Sequence, residues 1–398
     1  MARKFVLKDD SGDPDEKELP AVKSSKKTDA QLEQLYDETS ARILQEKSDF
    51  LLPQIVSMVS DERWINLRPE YQRRIRWDDK RRSLLIESVL MNIPIPPVFL
   101  FERELGRYEV MDGQQRLSSI VDFYKNKLRL TGLQFWPDLN GRTYKDCPTK
   151  IKRGLDRRRI SSVVLLAESK GTIGVSQGDI RLQVFGRLNT GGVSLNPQEL
   201  RNCVFTGRFN DSIVKLARDP LFSKMWDLPV YSHNLDADGY PNEKLRTNSL
   251  FQTMGDCQIV LRFFAFRDSK QIVGSVRRML DNCMKSNQDL DQEALKEWEK
   301  QFLDRLKGVH QLLGDDAFRL PITGGSHSRP LFDALMVAID ELWDSKAKLL
   351  KAKVAIRKDF PKLFKNKRTY ELIVGKPNTA NAVKARIRAV NRFLASYI

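Results

Sequence analysis

The sequence predicts an α+β protein, a small mixed-sheet domain followed by a larger all-helical domain. Three observations predict it. The segments that read as strands, VFLFE, RYEVM and Ile160–Leu166, all fall before residue 168 and alternate with helical patterns. From about residue 178 onward, apolar residues recur at helical spacing. The 398 residues exceed one compact core, and 41% hydrophobic content suffices for two.

The elements follow in order. Residues 1–28 are polar and charged and read as a disordered arm. Residues 29–167 read as the sheet domain with an N-terminal helix, and residues 168–398 as the helical domain. Within 29–60 a helix is expected, with Leu32, Leu35, Tyr36, Ile43 and Leu44 on one face. Asp78 can cap a second helix carrying Leu84, Leu85, Ile86, Val89 and Leu90. Asn92 and the run IPIPP end it, because proline lacks an N–H and disfavours helix in its predecessor.

VFLFE (98–102) and RYEVM (107–111) read as strands joined at Glu104-Leu105-Gly106. A helix resumes at Gln114, and Ile160–Leu166 reads as a further strand. In LNPQELRNCVF, Asn196 caps, Pro197 opens the helix, Glu199 closes a capping box and Gly207 suits the stop. GDCQIVLRFFAF (255–266) is apolar enough for a buried helix. Pro330 opens another, on which Leu331, Leu335, Ile339 and Leu342 share a face. The last helix carries Val383, Ile387, Val390 and Leu394 on one face, with Lys384, Arg388 and Arg392 elsewhere.

Composition excludes some classes. No apolar run approaches the roughly 20 residues of a membrane span, and the N-terminus has no signal-peptide core. A cytoplasmic protein is expected. Cys147, Cys203, Cys257 and Cys283 form no CxxC pair, so neither a zinc site nor a disulfide framework is expected. The net charge is +16. Residues 1–49 hold 9 basic and 12 acidic side chains, whereas residues 351–398 hold 13 and 2. Such an excess suits a polyanion, nucleotide or DNA, or is simply a solvated basic face.

Three segments carry candidate chemistry. In YEVMDGQQRLSSI, a strand runs through Asp112-Gly113 into a helix. The first N–H groups of that helix lack intrahelical partners and, with the helix dipole, favour an anion. Gly113 allows close approach, and Arg116 adds a planar fork of donors suited to phosphate. Gln114 and Gln115 can orient water or a phosphate oxygen, and Asp112 can hold a metal ion or polarise water. The bland alternative is a capping box of Asp112 and Gln115, with Arg116 paired to a carboxylate. In PEYQRRIRWDD, Arg73, Arg74 and Arg76 stand among Tyr71 and Trp77, a pattern suited to base stacking and phosphate contact. The alternative is that both aromatics plug the core. In VFGRLNTGGVSLNPQEL, Arg187 and the loop Asn189-Thr190-Gly191-Gly192 can cradle an anion, or form a plain loop.

YQRRIRW, IPIPPVFLFE, YEVMDGQQRLSSI and RLNTGGVSLNPQELRN, in this order, resemble the DGQQR-motif N-terminal domain of GmrSD-type modification-dependent restriction enzymes and SspE-like defence proteins. The resemblance covers about residues 50–210 and several motifs. It implies a ParB/sulfiredoxin-like nucleotide-binding fold, with Asp112, Gly113, Gln114, Gln115 and Arg116 at the site of NTP binding and hydrolysis, and Mg²⁺ on Asp112. Tyr71, Gln72 and Arg73 join the pocket, as do Arg187, Asn189, Thr190, Gly191 and Gly192. DNA, modified or from phage, is the expected partner, met by Arg74, Arg76, Trp77, Arg386, Arg388 and Arg392.

His233, His310 and His327 stand in no His-Asn-His arrangement, so the HNH nuclease of those relatives is not expected. The resemblance thus implies an NTP-binding and NTP-hydrolysing sensor in a prokaryotic anti-phage or restriction system. A separate nuclease or other effector partner and a homo-oligomer are compatible with it. Two alternatives stand beside it. One is an Mg²⁺-dependent DNA nuclease on the ParB-like domain; the other is a non-catalytic nucleotide-binding module that docks an effector.

Overall fold

The computed structural model describes residues 28–33, 45–61, 64–67, 77–166, 196–205, 207–236, 239, 241–320, 325–365, 367–374 and 379–398. The chain divides into two compact units between residues 194 and 195.

The N-terminal unit is built on a five-stranded mixed sheet of order β1-β5-β3-β4-β2. Its strands are β1 (Gln45–Leu51), β2 (Ile65–Asn66), β3 (Val98–Glu104), β4 (Arg107–Asp112) and β5 (Arg159–Leu165). β1 corrects the helix expected across 29–60. Residues 29–33 are helical, but 45–51 are a strand. The reason is tertiary: β1 pairs antiparallel with β5 along its whole length, from Gln45↔Leu165 to Leu51↔Arg159. The ladder outweighs a weak local helix preference. As an edge strand, β1 carries Glu46, Lys47 and Asp49, charges that discourage further strands from adding.

Among the described residues, four helices cover this sheet: α1 (Leu52–Ser60), α2 (Asp79–Leu90), α3 (Gln114–Tyr124) and α4 (Thr149–Asp156). α1 buries Leu52, Ile55 and Val59 at helical spacing. Asp78 caps α2 as expected, accepting a 2.8 Å hydrogen bond from the Arg81 N–H. Leu85, Ile86 and Val89 enter the core, while Leu84 and Leu90 are half-buried. The core joins these to Val98, Leu100, Val110, Leu117, Ile120, Phe123 and Val164. β3 and β4 form the expected hairpin, whose turn leaves Leu105 almost fully exposed. Because the two strands are antiparallel, the end of β4 lies beside the start of β3. Asp112 pairs with Phe99, and the run Pro96-Pro97 is brought next to the turn that opens α3.

The second unit is helical. Its principal helices are α5 (Pro197–Val204), α6 (Arg208–Ala217), α7 (Gly255–Phe266), α8 (Val276–Ser286), α9 (Gln292–Leu313), α10 (Arg329–Glu341), α11 (Lys353–Leu363) and α12 (Ala380–Ala395). The capping box of Asn196 and Glu199 forms as expected. Gly207 lies between α5 and α6 and opens the latter. Every residue of α7 is buried. Among them Arg262 donates to Asp333 Oδ1 and Oδ2 at 2.9 and 2.7 Å.

Arg386 of α12 joins the same carboxylate at 2.8 Å and is fully buried. Its assignment to a DNA-contacting surface is therefore corrected. Arg386 lies on the stripe of Val383, Ile387, Val390 and Leu394, where helical spacing turns it inward against α10. Burial of charge is tolerated there because Asp333 pairs with it. Among the described residues, no helix is long and apolar enough to cross a membrane.

Candidate functional site

The Asp112 turn is assembled from β4, α3 and two distant segments. Gly113 is the N-cap of α3, with φ +98°, and no side chain caps the helix. A capping box of Asp112 and Gln115 is thus not what forms. Only glycine fits position 113. An added Cβ would lie 2.5 Å from Val98 Cγ1, in a backbone conformation that other residues adopt only under strain.

Asp112 turns its carboxylate to Arg116 instead. Arg116 Nη2 donates to Asp112 Oδ2 at 2.6 Å. Arg116 Nη1 donates to the carbonyls of Pro96 and Pro97, the latter at 3.2 Å. Arg116 therefore staples the turn to the proline run before β3. Its side chain is 11% exposed and that of Asp112 29%, so the acidic partner is the one that meets solvent. Burial lowers the Arg116 guanidinium below its ordinary value, and the charge of Asp112 opposes that shift.

The two glutamines face another way. Gln114 Nε2 donates to the Leu67 carbonyl at 3.0 Å, and Gln115 Oε1 accepts from the Trp77 N–H at 3.3 Å. Leu67 and Trp77 are the described residues on either side of positions 68–76. One dipeptide thus holds both ends of the segment that contains the YQRR motif. Gln115 is buried, whereas Gln114 is half-buried.

Of the other expected residues, Tyr71, Gln72, Arg73, Arg74 and Arg76 lie outside the described residues, as do Arg187, Asn189, Thr190, Gly191 and Gly192. Trp77 is half-buried and packs against the core, the alternative considered for it beside DNA stacking. Arg388 and Arg392 are exposed on α12, so they lie apart from the buried face that holds Arg386. Sequence reading missed Leu67, Pro96, Pro97 and Trp77 as partners of the motif. They contribute backbone atoms, 19 to 47 residues away along the chain, and no side-chain pattern marks such a role.

The comparison with known families is decisive for this region. Residues 52–206 match the family of the GmrSD restriction endonuclease, N-terminal domain. This segment is similar to a GmrSD-type N-terminal domain. No curated protein and no solved structure matches the chain. The matched residues include the Asp112 turn, both glutamine clamps and the α5 capping box.

Its fit to a metal ion is limited. Among the described residues there is no group of three His, Cys, Asp or Glu side chains that could hold one. Asp112 offers a single half-exposed carboxylate, already facing Arg116. A lone carboxylate suits Mg²⁺ only when phosphate oxygens and waters complete the octahedron.

Proposed function

We propose that the GmrSD-type domain binds and hydrolyses a nucleoside triphosphate, as the sensing part of a DNA-directed restriction or anti-phage system. The observation that carries this reading is the Asp112 turn: a helix start without a side-chain cap, bordered by an arginine whose acidic partner is half-exposed. A phosphate at the start of α3 meets backbone N–H groups and the positive end of the helix dipole. It competes with Asp112 for Arg116. The Asp112 carboxylate, freed from Arg116, is the residue that would hold Mg²⁺ beside the phosphates, where the ion would supply charge neutralisation, or that would polarise a water. Arg116 contributes charge and geometry, Asp112 orientation. Gln114 and Gln115 link the turn to the residues that bound the 68–76 segment, a route by which an occupied turn alters that arginine-rich segment. The net charge of +16 supports DNA as the surface on which the sensor works, and a separate effector as its output is compatible with this.

The test is phosphate release by the purified chain with each of the four common NTPs and Mg²⁺, with and without DNA, beside Asp112→Ala. Turnover that the variant loses supports the reading. Nucleotide binding without turnover reduces it to a binding module. Absence of both binding and turnover overturns it and leaves the Asp112–Arg116 pair as a structural staple.

A further inference from the structure

We infer that the loop of residues 131–140 in the N-terminal unit is a stacking platform for an unpaired base of DNA. Phe135 and Trp136 lie at its tip, 67% and 42% exposed. Neither ring stacks on another aromatic ring of the described residues. Their exposure is not the slack of a loose loop. The buried Glu87 carboxylate accepts the N–H groups of Gln134, Phe135 and Trp136, with Oε1 at 2.9, 2.7 and 2.9 Å. Thr131 N–H donates to Ser83 Oγ at 3.0 Å, and Leu133 N–H to Asn140 Oδ1 at 3.1 Å. Leu133 and Leu139 anchor the two arms in the core. The base of the loop closes through Leu130 N–H to Arg142 O at 3.0 Å and Gly141 N–H to Leu130 O at 2.7 Å.

A buried carboxylate thus fixes three consecutive peptide groups, and the result is two large rings held in water. Burying a large ring is favourable, so the fold gains nothing from this presentation. A rigid, solvent-facing aromatic pair suits a flat ligand that arrives later.

Charge identifies the ligand as a base on a polyanionic strand rather than an apolar protein surface. Arg129 and Arg142 flank the base of the loop, and the Lys80 stem lies against Gly132 within it. Residues 125–159 hold 11 basic and 3 acidic side chains. Two of those acids are engaged internally: Asp146 accepts from Thr143, and Asp156 from the hydroxyls of Tyr124 and Tyr144. Aromatic side chains beside such a basic surface are the arrangement that holds unstacked bases while cations follow the phosphates. This inference does not depend on nucleotide binding at the Asp112 turn.

The experiment compares a short fluorescein-labelled DNA duplex carrying one unpaired central base with the same duplex fully paired. Binding is followed by anisotropy at one fixed salt concentration. The wild-type chain should prefer the duplex with the unpaired base. Phe135→Ala/Trp136→Ala should weaken binding to that duplex by about 5- to 150-fold, the range for one stacked base. Binding to the paired duplex should stay within about twofold, because phosphate contacts carry it. Trp136→Tyr should restore most of the preference. Circular dichroism melts confirm that the exposed substitutions leave the fold intact. Equal affinity of the wild type for both duplexes, no binding to either, or a preference that survives in the double variant would each overturn the inference.

Discussion

Arg116 Nη2 stands 2.6 Å from Asp112 Oδ2, four residues back and across the Gly113 turn. The same guanidinium reaches the carbonyls of Pro96 and Pro97. One side chain therefore fixes the end of β4, the start of α3 and the entry to β3.

That geometry predicts strong coupling between the two residues. Asp112→Ala and Arg116→Ala should each destabilise the chain by about 1–3 kcal/mol, because a mostly buried partner loses its hydrogen bonds. The double variant should fall short of the sum by about 0.5–3 kcal/mol. Urea melts of the three variants decide it, and strict additivity would remove the staple from the account.

Gly113 should tolerate no side chain. Gly113→Ala places a Cβ 2.5 Å from Val98 Cγ1 at φ +98°. A loss of roughly 1–3 kcal/mol is expected from backbone strain alone, with more from the clash. Measured against Val98→Ala alone, the double variant should lose less than Gly113→Ala loses in the wild type. The Cγ1 clash is then gone while the Cβ contact at 3.0 Å and the backbone strain remain, a difference that denaturant midpoints can resolve.

The arginines of α12 should separate into two kinds. Arg386→Ala leaves Asp333 short of one of its two guanidinium partners in a fully buried site and should cost about 3–5 kcal/mol in stability. Arg388→Ala and Arg392→Ala should leave thermal stability within about 0.5 kcal/mol, because both are exposed. If α12 faces DNA, each should also reduce the salt slope of binding by about one. An unchanged slope in both would remove α12 from the DNA surface.

Alkaline pH should weaken the N-terminal unit. Burial, then hydrogen bonding to Asp156, pushes the Tyr144 hydroxyl up to about 12 from an ordinary value of 10.0. Tyr124, which shares that carboxylate, is also raised, first by burial and then by the charge of Asp156. A folded value above the unfolded one means that the native state holds its proton longer. Stability is therefore complete below about pH 10 and declines as pH rises toward 12. Tyr144→Phe should flatten part of that decline in urea midpoints measured across the range. A slope identical to wild type would refute the assignment.

Helices whose caps and periods lie in one continuous stretch were legible in the chain. Asp78 and Asn196 cap the helices that follow them, and α7 is buried along its whole length. The β3–β4 hairpin was legible for the same reason: a strand, a tight turn and a strand are neighbours in sequence. The strand at Gln45–Leu51 was not, since its reason to exist is β5, more than a hundred residues later. The DGQQR residues by themselves resemble a known domain, and the family match bears that out.

What the residues do inside the motif was decided only in three dimensions. Local sequence allowed Asp112 to cap the helix, and the fold gave that place to Gly113 and the carboxylate to Arg116. Gln114 and Gln115 read as water-orienting amides, yet the fold directs them to the backbone at Leu67 and Trp77. Arg386 read as part of a basic surface and became the buried partner of Asp333. Phe135 and Trp136 drew no notice in the chain, and the Glu87 carboxylate turned them outward. The physical reason is common to all four. Hydrogen-bond partners and burial belong to pairs of distant segments, whereas propensity, capping and turn chemistry belong to neighbours along the chain.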